Sequence, residues 1–452
     1  MQATVRIERY ADQGRCVAHI DGRVVFVRFA LPAELVTVEL DEPHEREDRF
    51  WTGEVVAVQE PNPERREPVW PLAGPLSSGG GVGGADLVHV SLPGQLAWKA
   101  ATIREQMTRL GHLDPGPVTV ERMPGDEESR GLHWRTRIDL VADVEGRPSM
   151  RRRGSHDPVA VDDMPLATRT VLDAARDAHL WAGGFPAGTR LRVVAAGTPG
   201  SSSTASSSSR PESGEADSVG PDRRRAVLVG GKVVLGSPTI RETVVLPEGS
   251  FDYDVSASGF WQVHRLAPAT LAGHVLSLVR RALDGVDRAA VWDLYSGSGL
   301  FTLPLAGFAA DDSRVLAIEG VREAAKDARR NLAAAGLDDR AVVRCGDVAR
   351  VLRGVASGHD RGMGRAETAA LAHPDVVVLD PPRSGAGAQV CRAMAAAGAR
   401  HIVYVACDPT SLARDTATMT TLGYRLADIH AFDLYPLTHH VETVAWFARG
   451  GR

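Results

Sequence analysis

Cysteine is scarce in this chain of 452 residues: there are four, Cys16, Cys345, Cys391 and Cys407, far apart in sequence. So few and so scattered, they cannot supply a disulfide framework for a protein of this size, and a reducing, cytoplasmic setting is expected. Long apolar runs are missing as well. No stretch approaches the roughly 18 residues a membrane helix needs, and the opening MQATVRIERYADQG shows neither an apolar core nor a cleavage site. No membrane partner or export is therefore expected. Lysine is nearly absent, with Lys99, Lys232 and Lys326 the three among 52 basic residues. Arginine carries the positive charge instead, the side chain that stacks on bases and grips phosphates bidentately. A surplus of positive charge is also lacking. At a net charge of −5, an RNA-binding function requires a local basic surface, and Arg135, Arg137, Arg151, Arg152 and Arg153 are the candidates.

What is present is ordinary for a globular protein, 43 % hydrophobic and 24 % charged, with length for about three domains. Residues 1–62 read as five short strands (4–7, 15–20, 24–27, 35–40, 51–58) with a hairpin signal at Asp21-Gly22, which suggests a small β-barrel. A Pro/Gly/Ser-rich loop at 70–84 precedes a helix over 93–110, whose Leu96, Ala100, Ile103, Met107 and Leu110 form one stripe. Residues 63–250 read as a mostly antiparallel β-region. It is interrupted at 199–225 by a Ser/Pro/Gly-rich insertion that is expected to be disordered, and a second Gly/Ala-rich stretch at 358–373 reads as a loop. From 251 to 452 strands alternate with helices, the pattern of a doubly wound α/β sheet whose ligands bind beyond the carboxyl ends of its strands.

Four places on that edge carry chemistry. In VWDLYSGSGLFTLPLA (291–306) a strand ends at Asp293, and Gly297 and Gly299 form a turn suited to close backbone approach. Glu319 ends the next strand where a ribose-binding acid belongs, and Asp347 ends the third as a candidate adenine contact. By itself the turn leaves NAD and S-adenosylmethionine both open. VVVLDPPRSGAG (376–387) favours the latter: Asp380 and two stiffening prolines sit at a strand end and offer an acceptor to a planar base. HIVYVACDPTSLARD (401–415) sets Cys407 at the next strand end, before a helix start that would ease its ionisation. The other three cysteines read as inert and buried. In DLYPLTHHVETVAWF (433–447), Glu442 lies in an otherwise apolar strand, where an unpaired carboxylate is expensive, so it is either paired or a base of raised pKa. His439 and His440 lack further ligands at metal spacing and read as loop residues; no metal is expected. A thiol, a base, a uracil-orienting acid and a methyl donor suit one reaction, C5 methylation of uracil by thiol addition at C6.

The blocks SGFWQVH (258–264), DLYSGSGLFTLPLA, VLAIEGV, VVVLDPPRSG, IVYVACDP and HHVETV together resemble the S-adenosylmethionine-dependent RNA uridine-C5 methyltransferases that make 5-methyluridine in tRNA and rRNA. That resemblance implies a class I methyltransferase domain and an N-terminal RNA-binding TRAM barrel of OB type, recognisable in DQGR at 12–15. It implies that the 93–111 helix folds onto the catalytic domain. It assigns Gln262, Tyr295, Glu319 and Asp380 to the methyl donor, Cys407 as nucleophile and Glu442 as proton acceptor. Many members bind a 4Fe–4S cluster through four cysteines. Here Trp70, Val82 to Ala85 and Met164 stand at those places, so no cluster is expected and packing must hold the 70–90 loop. A monomer acting on tRNA or rRNA is the leading expectation. The alternatives are a degenerate RNA-binding protein and, on the Gly turn alone, a NAD-dependent oxidoreductase.

Overall fold

The computed structural model of the chain describes residues 1–42, 48–197, 221–308, 313–358 and 363–450. The N-terminal segment forms a six-stranded curled sheet from β1 (Gln2–Arg6), β2 (Arg9–Ala11), β3 (Arg15–Ile20), β4 (Arg23–Arg28), β5 (Leu35–Leu40) and β6 (Trp51–Glu60), in the order β1-β5-β6-β4-β3-β2. The five expected strands are all there; β2 is the addition, three residues being too few to show a period. Asp21 and Gly22 both take positive φ, 49° and 79°, as the primed turn joining β3 to β4 requires. Val25, Val27, Val36 and Val38 alternate inward and are fully buried.

The loop after β6 winds through two 3-10 turns, Pro71–Ala73 and Leu76–Ser78. Trp70, Val82, Ala85 and Met164, at the places where the resemblance puts cluster cysteines, are buried apolar side chains. Packing is not all that holds this loop. The Arg153 guanidinium donates to the carbonyls of Ala73 (2.7 Å), Gly74 and Val82 (both 3.3 Å) and pairs with Glu54 (2.9 Å), while Glu54 accepts the Leu76 N–H at 2.7 Å.

Helix α1 (Leu92–Arg109) starts at Ser91, whose side chain accepts the Gly94 N–H. Its buried face differs from the apolar stripe. Ile103 and Met107 are buried, but so are Gln95, Trp98, Lys99, Thr102 and Gln106, whereas Leu96, Ala100 and Leu110 are half-buried. The helix is wedged between the barrel and the catalytic domain, and its polar residues are buried because partners await them on both sides: Trp98 donates to the Ala11 carbonyl and Lys99 pairs with Asp433. The short strand β7 (Val120–Arg122) then joins the catalytic sheet.

The central sheet is antiparallel throughout, built from β8 (Arg137–Ala142), β9 (Pro148–Arg151), β10 (Pro158–Ala160), β11 (Arg190–Ala195), β12 (Arg225–Val229) and β13 (Lys232–Gly236), with α2 (Arg169–Asp177) packed on it. Of the 199–225 insertion, residues 199–220 lie outside the described residues. Its end is ordered: Pro221–Arg224 form a 3-10 turn, Arg223 pairs with Asp254 and Arg225 with Asp177. The hairpin β14 (Thr239–Leu246) and β15 (Gly249–Ser256) packs its Val244, Leu246, Tyr253 and Val255 into the core of the catalytic domain.

That domain continues with α3 (Ala267–Ala282), β16 (Ala290–Leu294), α4 (Thr302–Phe308), β17 (Arg314–Glu319), α5 (Arg322–Ala334), β18 (Ala341–Cys345), α6 (Val348–Ala356), α7 (Arg365–Leu371), β19 (Val376–Leu379), α8 (Gly387–Ala396), β20 (His401–Ala406), α9 (Pro409–Thr421), β21 (Tyr424–Asp433) and β22 (Glu442–Arg449). The expected loop at 358–373 is therefore partly helical, since Leu371 and Thr368 find burial under the sheet; residues 359–362 lie outside the described residues. The sheet order is β18-β17-β16-β19-β20-β22-β21-β7, parallel from β18 to β20, with β22 inserted antiparallel. The order reverses beside β16, so the ends of β16, β17, β19 and β20 open on one crevice.

Candidate active site

At the end of β16 the chain turns sharply: Tyr295 takes φ 63° and Gly297 φ 56°, with open space where a Gly297 Cβ would stand. The turn is pinned by Glu319, which accepts the N–H of Gly297 at 2.8 Å and of Val321 at 2.6 Å. Asp293 is fully buried; one carboxylate oxygen accepts the Thr302 hydroxyl at 2.5 Å and the other has no hydrogen-bond partner among the described residues. Burial, reinforced by the charges of Asp380 and Glu319, pushes its pKa to about 7 despite that hydrogen bond. Sequence reasoning used Asp293 only as a strand end; an acid closing a wholly apolar strand is the signal that could have marked it. Gln262 is buried and Tyr295 half-buried. Asp347 is exposed and caps α6, accepting the Arg350 N–H at 2.9 Å, which gives this carboxylate a structural employment.

Beyond β19 and β20 lie Asp380, Cys407 and Glu442. Desolvation and the Glu319 charge raise Asp380 to about 7. Glu442 opens β22, is 2 % exposed, accepts the Tyr435 hydroxyl on Oε2 at 3.1 Å, and leaves Oε1 unpartnered among the described residues. Burial and the nearby Asp380 push its carboxyl well above the usual range. The expectation of an easily ionised Cys407 is corrected: burial, then the charges of Glu442 and Asp380, push its thiol up to about 12. The helix start that was expected to help is capped by Asp408, whose carboxylate accepts the Ser411 N–H at 2.7 Å and adds negative charge beside the sulfur. Of the remaining cysteines Cys16 and Cys391 are buried as expected, whereas Cys345 at the end of β18 is exposed.

A cleft of about 340 Å³ leads to Cys407, lined by Asp12, Gln13 and Arg28 of the barrel, Asp86 of the following loop, Arg153, and Arg383, His439 and His440 of the catalytic domain. DQGR earns its shape here: Gly14, at φ 66°, has an Asp86 carboxylate oxygen 2.0 Å from where a Cβ would sit. Asp12, in that turn, accepts the Thr410 hydroxyl at 3.0 Å and so ties the barrel to the start of α9. The two histidines lie in the loop between β21 and β22, as expected, and line this cleft. His439 is hydrogen-bonded to Asp86, which against its burial is held at about 2, and His440 is kept neutral, its pKa lowered to about 3 by burial, His439 and Arg383. Arg383 donates to His440 at 3.2 Å.

The expected arginine surface is also redrawn. Arg137 is buried against Glu242, Arg153 is the loop clamp with its side chain 10 % exposed, and Arg135 turns inward over Trp134 towards the Arg137 carbonyl. Arg151 is exposed and Arg152 half-buried. The arginines that line the cleft leading to Cys407 are Arg28, which makes no side-chain pair among the described residues, Arg153 and Arg383, and they share it with Asp12, Asp86 and Asp408.

A doubly wound sheet with the Gly turn, acids at successive strand ends and a thiol beside them defines a class I methyltransferase. The comparisons narrow it further. The family model for tRNA (uracil-5-)-methyltransferases matches residues 225–450, and that for the TRAM domain residues 2–63. An RNA methyltransferase of Bifidobacterium longum is 59 % identical over 99 % of this chain and 97 % of its own length. One from Streptomyces coelicolor is 34 % identical over 98 % and 91 %. The crystal structure of Pyrococcus abyssi tRNA (uracil-54, C5)-methyltransferase with S-adenosyl-L-homocysteine superposes with a TM-score of 0.62 at 20 % identity, covering 98 % of this chain and 99 % of that one, and so shares the fold. The chain belongs to the tRNA (uracil-5-)-methyltransferase family and is an S-adenosylmethionine-dependent RNA methyltransferase with an N-terminal TRAM domain. The site suits that donor: the orphaned Asp293 oxygen, the open Gly297 turn and the Glu319 carboxylate present acceptors and room to a cationic, hydroxyl-bearing ligand.

Proposed function

We propose that this enzyme methylates C5 of a uridine in tRNA or rRNA through a covalent bond between Cys407 and C6. The observation that carries the reading is the convergence of a thiol, a buried carboxylate with one oxygen unpartnered among the described residues and a half-buried acid of pKa about 7 at the end of a cleft lined by arginines and aspartates. Uracil C5 is a poor nucleophile. Bonding of the Cys407 sulfur to C6 gives C5 enolate character. Gln262, Tyr295, Gly297, Gly299, Glu319, Asp347 and Asp380 would hold S-adenosylmethionine, which would supply an electrophilic methyl group to C5 and leave as S-adenosylhomocysteine. Asp380, protonated part of the time near neutrality, can donate to or accept from the uracil and orient it. Glu442 then takes the C5 proton, the C5–C6 double bond re-forms and the C6–S bond breaks. Burial, Glu442 and Asp380 favour the protonated thiol, and Arg383 is the nearby cation that opposes them and favours the thiolate.

The target nucleotide would leave its stack to reach Cys407, and Arg28 and Arg383, which line the cleft, would hold its phosphates. No helix among the described residues is long and apolar enough to cross a membrane; a monomeric, cytoplasmic enzyme is the proposed setting. The test is covalent trapping on RNA containing 5-fluorouridine. Wild-type protein should form a stable adduct and Cys407→Ala none; a fully active Cys407→Ala enzyme would overturn the mechanism. Mapping 5-methyluridine in RNA from cells with and without the gene identifies the substrate.

A further inference from the structure

Beside Glu442, and near Cys407 and Asp380, lies a side chain that the reaction as described does not use. Tyr435 lies in the loop joining β21 to β22, and its hydroxyl donates to Glu442 Oε2 at 3.1 Å, the single donor that carboxylate has among the described residues. Its ring is held edge-on against Trp134 of the central region (centroids 6.1 Å) and His440 (6.0 Å). Its backbone is fixed from the other side of the molecule: the fully buried Lys99 of α1 donates to the Tyr435 carbonyl at 3.0 Å while paired with Asp433. The hydroxyl is thus delivered to Glu442 by three elements. It leaves Oε1, the oxygen without a partner, for the substrate proton.

We propose that Tyr435 is a positioning residue for proton removal, its O–H orienting the Glu442 carboxylate and holding it ionised so that Oε1 can accept the C5 proton. This rests on the functional reading above. The charged and titratable groups that face the pair are Asp380 and Cys407 from the sheet edge, Arg383 from the loop after β19, His440, Arg135 and Lys99. Asp380 and burial drive Glu442 towards its protonated, idle form; Arg383 and the Tyr435 hydroxyl oppose them. Removing the hydroxyl therefore raises the Glu442 pKa, and the step that needs the ionised base fails at a higher pH than before. In that step the C5–H bond breaks, its proton passes to Oε1, its electron pair forms the C5–C6 double bond, and the C6–S pair returns to Cys407.

The experiment uses the full-length enzyme and uridine-tritiated RNA, following adduct formation and tritium release from C5 separately across pH in single turnovers. In Tyr435→Phe the acid limb of tritium release should move up by about one pH unit, the effect of one charge-assisted hydrogen bond. Adduct formation and RNA KM should stay within twofold of wild type. Difluorotyrosine at 435, isosteric but a stronger donor, should move the limb down. Superimposable profiles for wild type and both variants would overturn the role of Tyr435 while leaving the function intact. Wild-type enzyme that neither forms an adduct nor releases tritium would overturn the functional reading itself.

Discussion

The barrel and the catalytic edge each bury a glutamate, and they treat it in opposite ways. Glu34, 0 % exposed, accepts the N–H groups of Leu31 (2.8 Å) and Asn62 (3.0 Å) and a two-pronged Arg65 grip at 2.6 Å. Glu442 is as deeply buried but has, among the described residues, one donor and one orphaned oxygen. The same contrast separates Asp415, which accepts Ala386 N–H and the Tyr404 hydroxyl at 2.8 Å, from Asp293. A buried acceptor without a partner costs on the order of 1–3 kcal/mol, a cost tolerated where a ligand completes the set. Glu34 and Asp415 build the protein; the open oxygens of Glu442 and Asp293 lie at the edge where the proposed substrate and donor would bind, unlike those of Glu242 and Asp433, which face Arg137 and Arg122.

That contrast can be broken in three places. The largest effect is expected at Glu442→Gln, which removes the proposed base: turnover should fall by roughly 10²–10⁴ with the RNA adduct persisting, while the thermal midpoint stays close to wild type because burial and Asp380 already favour an uncharged carboxyl there. Rapid adduct release would remove Glu442 from its role. Glu34→Gln should do the reverse, costing about 3 kcal/mol by leaving Arg65 without its charge partner, read in a denaturant titration, with adduct chemistry near normal wherever the protein is folded. The smallest effect belongs to Arg28→Gln on the cleft rim. RNA affinity should drop severalfold and the salt dependence of binding should lose about one unit of slope, with the rate of the bound complex unchanged. An unaltered salt slope would take Arg28 out of the RNA path.

Much of this was legible in the chain itself. The parallel strands could be read because strands buried on both faces are continuous apolar runs, VVVL and HIVYVA, each ending in a chemical residue. The Asp21-Gly22 hairpin was legible because its turn needs φ > 0 twice. The α1 stripe was misread since apolar periodicity does not register a lysine whose partner, Asp433, lies 334 residues away. The arginine surface failed for a like reason: Arg137 and Arg153 are buried by Glu242 and Glu54, which local sequence does not bring near. The ease of ionising Cys407 was overestimated because a helix N-terminus was weighed without its cap and without the two acids facing it.

The order of strands and helices, the Gly turn and the residues at strand ends were determined by the sequence alone, for these follow from periodicity and from short-range backbone geometry. Tertiary structure alone decided the protonation of Cys407, Asp380 and Glu442, the entry of barrel residues into the catalytic cleft, and the delivery of Tyr435 to Glu442. Those properties depend on desolvation and on charges from distant segments, and the energy of a charge is set by what surrounds it in space.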